Sequence, residues 1–292
     1  MRMSRRTSLA VIWAAYLWTT AVSWAIGSFL PVDSPLAKAA VIDVAATVMV
    51  FAFSVIFNNS SFYDPFWSIA PIFLAGYWTM VGWSASDSNV RAVVVMMLVV
   101  LWGVRLTMNF LTRWRGMRDE DWRYEGFREK AGSAYWVVSF FGFHLVPTII
   151  VFAACVPVYF ACTSGRSFGV LDVIATVLTL IAIVIETVAD AQMRSAVAHG
   201  EMSDTTFRGG LWRYSRHPNY FGEMLFWWGL YLFALGVDAG LWWTIFGPVG
   251  VTALFLIVSL PLLEDRMRQR RPDYEQTCAE ISSIIPWPPK KG

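Results

Sequence analysis

The chain has 292 residues, 57% hydrophobic and 15% charged, with mean hydropathy +0.50 and net charge +2. Soluble chains are about a quarter charged and about half apolar, so the composition excludes an ordinary soluble globule, a disordered chain and a basic nucleic-acid binder. Sixteen Trp, 21 Phe and 10 Tyr suit aromatics placed in lipid and at its edges. The expectation is one integral membrane domain over 1–292, all-α and polytopic, with about seven or eight transmembrane helices.

At the N-terminus, Ser4-Arg5-Arg6-Thr7-Ser8-Leu9 resembles a twin-arginine export signal. The apolar run behind it is about 23 residues long with no small-residue cleavage site, so it reads as a retained first helix with a basic flank. A bilayer crossing takes roughly 17–25 apolar residues. Such stretches lie near 8–30, 37–57, 66–83, 90–112, 135–161, 169–192, 219–237 and 241–263, the third and seventh being short. Only Asp238, Ala239 and Gly240 part the last two, which predicts a tight helical hairpin. No internal repeat, low-complexity tract or soluble domain stands out.

Positive charge orients such a chain. Arg2, Arg5 and Arg6 lie in the N-tail, and Arg113, Arg115, Arg118, Arg123, Arg128 and Lys130 follow the fourth stretch. Arg194, Arg208, Arg213 and Arg216 follow the sixth, and Arg266, Arg268, Arg270, Arg271, Lys290 and Lys291 lie in the tail. Only Lys38, Arg91 and Arg166 fall on the other side, with outer loops near 31–36, 84–89, 162–168 and 238–240. Both termini and the large polar segments are therefore expected in the cytoplasm. The compact form and short loops suit a bacterial inner membrane with its site facing the cytoplasm, and the same topology fits an endoplasmic-reticulum membrane.

Cys155, Cys162 and Cys278 form no metal-ligand spacing and, being odd in number, no disulfide framework. His144 reads as a packed residue and His199 as a solvated one; no zinc spacing emerges, so no metal is expected. Rossmann, Walker and nucleophile-elbow motifs are missing. Asp43, near the outer end of the second stretch, reads as interfacial. In the loop before the third stretch, Asp64 reads as a helix cap with Pro65 in first position. Tyr63 and Asp64 are also the nearest proton-donating candidates outside the basic loops.

Ionisable groups within membrane helices tend to be paired, cavity-facing and functional. Arg105 and Asn109 share a face of the fourth stretch, continued by Arg113. Glu186 with Asp190, and Asn219 with Glu223, repeat that spacing in the sixth and seventh. One reading is a set of packing ion pairs. The other is a polar cavity open to the cytoplasm and roofed by basic loops, suited to a phosphate-bearing cofactor gripped by Arg. The segment Gly209-Gly210-Leu211-Trp212-Arg213-Tyr214-Ser215-Arg216-His217-Pro218-Asn219-Tyr220-Phe221-Gly222-Glu223 adds a Pro-started helix, whose N-terminus is an anion site.

This segment resembles the steroid 5α-reductase family, in particular its bacterial branch of reductase-like membrane proteins (DUF1295 type). Asp64-Pro65-Phe66-Trp67, Leu101-Trp102-Gly103-Val104-Arg105-Leu106 with 113–124, Glu186-Thr187-Val188-Ala189-Asp190-Ala191-Gln192 and Ile285-Pro286-Trp287 fit the same branch. The resemblance implies a helical membrane reductase whose NADPH lies in a cavity within 100–292. It places cofactor contacts on Asn109, Arg113, Asp190, Arg194, Asn219 and Glu223, with Arg208, Tyr214, Arg216 and His217 at the border and Tyr220 in the signature. Arg105 and Glu186 join them through their polar stripes.

The implied reaction is reduction of a C=C bond conjugated to a carbonyl in a steroid-like or other lipid. Asp64 or Tyr63 would be the proton donor or carbonyl polariser. Family steroid reductases carry a Gln-Glu pair and a Tyr in the corresponding early helices, whereas Trp102 stands at the Tyr position here. The Arg-His-Pro-Asn-Tyr segment is also similar to that of isoprenylcysteine carboxyl methyltransferases. Glu264-Asp265, Asp273-Tyr274 and Ile285-Pro286-Trp287 suit that alternative, an S-adenosylmethionine-dependent methyltransferase. A carrier or assembly protein is the third reading. The expected partners are lipids, with no nucleic acid.

Overall fold

A computed structural model of the chain describes residues 3–83, 90–200 and 205–290. Arg2, Lys291 and the expected outer loop 84–89 lie outside the described residues. Among these the chain is all-helical, with no strand. It divides into two compact units, residues 1–167 and 168–292. The region expected to hold the cofactor, 100–292, therefore takes in the end of the first unit and all of the second.

In the first unit, α1 (Arg5–Phe29) starts where Ser4 accepts a hydrogen bond from the Thr7 amide, and α2 (Pro35–Ile56) starts at Ser34 with Pro35 in its first turn. A short 3₁₀ turn, Ser60–Phe62, leads to α3 (Phe66–Trp83), one residue later than Pro65 suggested. Then come α4 (Val90–Arg113) and α5 (Trp122–Ala131), which Asp121 caps. A continuous run follows, made of α6 (Tyr135–Val138), a π-helical stretch Ser139–Leu145 and α7 (Val146–Thr163).

Tyr16, Val50, Phe62, Tyr63, Phe66 and Trp114 belong to a largely aromatic core that joins α1, α2, the loop before α3 and the segment after α4. The backbones of α3 and α4 meet at Gly103, where a Cβ would lie 2.6 Å from the Ser68 carbonyl. One turn on, the Ser68 and Thr107 hydroxyls are 2.9 Å apart. Arg91, expected at the outer end of the fourth stretch, is buried and donates to the carbonyls of Arg166 and Ser167 at 3.0 and 2.9 Å. Its charge closes the α7 end instead of facing water.

The second unit opens with α8 (Val170–Ala198) and α9 (Pro218–Val237). After the Asp238 turn come a 3₁₀ stretch Ala239–Ile245, α10 (Phe246–Ala253), a π-helical stretch Leu254–Ser259, α11 (Leu260–Arg270) and α12 (Tyr274–Glu280). The expected hairpin is present: Asp238 Oδ1 accepts from the Gly240 amide at 2.8 Å. The last apolar stretch is irregular, not one helix.

Along α8, Asp172, Ala175, Thr179, Ala182, Glu186, Ala189 and Ala196 are buried in a 3–4 alternation. Gly222, Gly229 and Gly236 of α9 fall opposite them: a Cβ on Gly222 would sit 2.9 Å from the Ala182 carbonyl, and one on Gly236 3.1 Å from Asp172 Oδ1. Ascending along α9 means descending along α8, so the pair is antiparallel. Small residues let membrane helices approach backbone to backbone, where lipid offers no hydrophobic drive between them.

Among the described residues, seven helical runs are long and apolar enough to cross a membrane. The third expected crossing, α3, is a helix of 18 residues but falls outside the seven. Ser68, Pro71, Tyr77, Trp78 and Thr79 dilute its apolar content.

Candidate functional site

In the loop before α3, the Asp64 carboxyl turns inward to accept from the Tyr124 hydroxyl at 2.6 Å. Burial, reinforced by the negative Asp121 and offset by Arg123 and the Tyr124 bond, pushes Asp64 up to about 7. A carboxyl so placed is partly protonated at neutral pH. The carboxyl accepts from Tyr124, and α3 begins at Phe66, so Asp64 stands two residues before the helix and not at its cap. Tyr63 is buried with its hydroxyl 2.9 Å from Thr148 Oγ1, and burial holds it protonated.

Thr148 in turn lies 2.8 Å from Thr47. A second buried string runs from Tyr135 to Ser60 (2.6 Å), Ser139 (3.0 Å), and through the π-helical turn to His144, whose Nε2 meets Ser54 at 3.1 Å. His144 is packed, as expected. His199 is exposed and 2.9 Å from the Ser195 carbonyl. In the same unit Asn109 is buried on α4, and Arg113 folds back so that its Nε donates to the Asn109 carbonyl at 3.3 Å. Arg105, one turn earlier, is half-buried.

The first unit also holds a cavity of about 500 Å³ between α1, α2 and α3, with Met96 of α4 on its wall. Asp43 lines it and is only 6% exposed, so the interfacial reading fails: its side chain faces an internal hollow. Tyr63 and Asp64 are not among its lining residues.

In the second unit, the Gly222 approach sets Glu186 against the first turns of α9, where Asn219 and Glu223 stand. Glu223 is buried and accepts from Trp227 Nε1 at 2.9 Å. Asp190 is half-buried and Arg194 exposed on the next turns of α8. The turn before α9 is docked on α8 by Gln192, which accepts from the Leu211 amide at 2.9 Å, and by Trp212 Nε1 on the Ala189 carbonyl at 3.1 Å. His217, at the N-cap of α9, makes no side-chain capping hydrogen bond, and Pro218 takes the first position of the helix.

The basic residues of the signature are largely committed within the protein. Arg216 gives Nη2 to Glu264 at 2.6 Å and Nη1 to the carbonyls of Cys278 and Ile281. His217 Nε2 is 3.3 Å from the same Glu264 oxygen, as Ser283 Oγ is at 3.1 Å. Burial lowers the His217 pKa against the opposing pull of Glu264, so a neutral imidazole donates there. Tyr220 stacks on His217 with centroids 5.6 Å apart and meets Phe255 edge-on.

Arg208 is bound to Glu280 at 2.6 Å and Thr277 at 2.7 Å. Tyr214 is exposed, and its carbonyl accepts from the Trp287 amide. The tail thus straps the signature down. Arg213, by contrast, is exposed on the turn.

Residues 50–280 match the family described as "Protein of unknown function (DUF1295)". The chain belongs to the DUF1295 family. This DUF1295 protein is also 30% identical over 252 residues to the "Uncharacterized protein C594.04c" of Schizosaccharomyces pombe, covering 78% of this chain and 73% of that one. No solved structure matches it.

Asp43 and Glu264 are the residues that sequence reasoning placed least well. Tyr16, Thr19 and Ser23 lie 3 and 4 residues apart on one face of α1, and this was the readable sign of a polar wall opposite Asp43.

Proposed function

We propose that this DUF1295 protein is a membrane reductase that uses NADPH to saturate a C=C bond conjugated to a carbonyl in a lipid. The observation that carries the reading is the α8–α9 pair. It gathers Glu186, Asp190, Asn219 and Glu223 at one end, beside the uncapped start of α9 and the exposed Arg213 and Arg194. This donor set fits a dinucleotide: acids accept from ribose hydroxyls and the carboxamide, while helix amides and arginines take phosphate. Bound NADPH would supply a hydride.

The chain's own part is to hold and orient the nucleotide and to deliver a proton. Asp64 suits the latter because its carboxyl is partly protonated at neutral pH. In this reading the basic loops face the cytoplasm, and both termini lie there if α3 also crosses the membrane. The membrane would be the inner one of a bacterium.

The test is incubation of purified protein with nicotinamide-C4-deuterated NADPH and α,β-unsaturated ketone lipids. Deuterium at the product's β-carbon, lost in Asn219→Ala, supports the reading. No nucleotide oxidation across the lipid panel contradicts it.

A second reading, methyl transfer from S-adenosylmethionine, is favoured by one feature. The Arg216–Glu264–His217 cluster unites the segments shared with membrane methyltransferases. Methyl transfer from S-adenosylmethionine to the carboxylate of a peptide ending in S-isoprenylcysteine, without NADPH oxidation, would decide for it.

A further inference from the structure

The cavity between α1, α2 and α3 has a polar seam that the protein leaves unmatched. Thr19 Oγ1 and Ser23 Oγ, in residues 3% and 4% exposed, make no hydrogen bond among the described residues. Both line the cavity, as does Asp43, whose carboxyl oxygens also have no hydrogen bond or ion pair among the described residues; only its backbone carbonyl is used, by Thr47. Unmatched polar groups in a membrane interior are costly, and where they persist they mark ligand sites. Gly27 abuts Ile42, which fixes the α1–α2 register and brings Asp43 within about one helical turn of Ser23 along the pair.

The remaining wall is mostly apolar, with Lys38 on α2 and the hydroxyl-bearing Thr20, Ser28 and Tyr77 also on the lining. Tyr16 and Phe66, with centroids 6.5 Å apart, close the inner end, and the Tyr16 hydroxyl is already committed to the Phe62 carbonyl. Trp24, Phe73 and Met80 stand at the rim with exposures of 60, 55 and 55%. They belong to α1 and α3, so the mouth faces the hydrocarbon of the bilayer sideways. A volume of about 500 Å³ lies in the usual range of roughly 300–1,000 Å³ for small-molecule sites.

We infer that this cavity binds an uncharged, mostly apolar lipid alcohol entering from the membrane, its hydroxyl held by Asp43, Ser23 and Thr19. A hydroxyl both donates and accepts, so it can satisfy a carboxyl oxygen and the two side-chain hydroxyls together. A phospholipid acyl chain would fill the space but leave all three unmatched. The inference is independent of the reductase reading, because binding here needs no nucleotide.

The test uses the full chain in phosphatidylcholine nanodiscs without nucleotide. Retinol is titrated as a fluorescent polyene alcohol, and energy transfer from protein tryptophan is read. Saturable transfer by retinol is expected, with at least tenfold weaker binding of retinyl acetate, which lacks the hydroxyl donor. Thr19→Val and Ser23→Ala, which keep helix and volume, should each weaken retinol several-fold, and Asp43→Ala at least tenfold. Equal binding of retinol and its acetate overturns the proposal, as does retinol affinity unchanged in folded Thr19→Val and Ser23→Ala. Non-saturable transfer, the sign of simple partitioning into lipid, overturns it too.

Discussion

In residues 1–167 aromatic rings sit between α1, α2 and α3, although α3 and α4 meet closely at Gly103, whereas residues 168–292 draw α8 and α9 together with glycine and alanine. The rings of Tyr16, Phe62, Tyr63 and Phe66 pack between α1, α2 and the start of α3, and Tyr16 and Phe66 border the hollow beside them. Along α8 and α9 the contact is backbone to backbone, with acids set into the seam at Asp172 and Glu186. Large side chains can bridge helices around a space for a ligand. Small ones fix helices rigidly, so that polar groups at the end of the pair keep their spacing.

The sharpest way to break that contrast is Gly222→Leu. Its side chain would meet backbone atoms of α8 that cannot move aside, and a loss of about 3 kcal/mol is expected. Thermal unfolding followed by fluorescence size-exclusion reads it. Ala70→Leu on the cavity wall of the first unit should be tolerated by comparison, since it grows into open volume.

Next in size is Glu264→Gln, which strips Arg216 and His217 of their common acceptor. It should cost about 2 kcal/mol, less than breaking a fully buried pair. Limited proteolysis should then cut within 282–290 before any membrane segment opens. Cleavage unchanged from the parent protein would count against the strap.

A pH-dependent effect separates the first unit from the second. Asp64 is raised to about 7 in the folded chain, against about 3.9 unfolded. The folded state therefore binds more protons across that window, and stability falls as pH climbs from about 4 to about 7. In Asp64→Asn this slope should vanish, so the variant gains on the parent as pH rises. Parallel curves of Tm against pH would refute the shift. The smallest expected effect is Ser54→Ala, about 1 kcal/mol, because it removes one partner of buried His144.

Most of the helices were legible because apolar length alone marks a crossing. What blurred was regularity: nothing in 135–161 or 241–263 announces the π-helical turns at 139–145 and 254–259. The α8–α9 seam was written in the sequence as Ala175, Ala182, Ala189 and Ala196, with Gly222, Gly229 and Gly236, each series seven apart. Small residues carry little hydropathy signal, so the repeat was hidden among larger neighbours.

Pairings between distant segments were not legible. Arg216 and His217 could be named as basic, but their meeting with Glu264 depends on how α11 and the tail return. Asp43 was visible as an acid in an apolar stretch, yet only the packing of α1 on α2 shows that it faces a cavity.

NADPH is proposed above to bind at the α8–α9 end. That binding is tested most directly by heat protection of the detergent-purified protein with NADPH, NADH and S-adenosylmethionine, in parallel with Asn219→Ala. A ligand at a hundred times its Kd stabilises the folded state by about 2.7 kcal/mol, which is well resolved as a rise in Tm. The account predicts a rise with NADPH that Asn219→Ala abolishes, and none with S-adenosylmethionine. Protection by S-adenosylmethionine alone, or an NADPH shift untouched by Asn219→Ala, would contradict it.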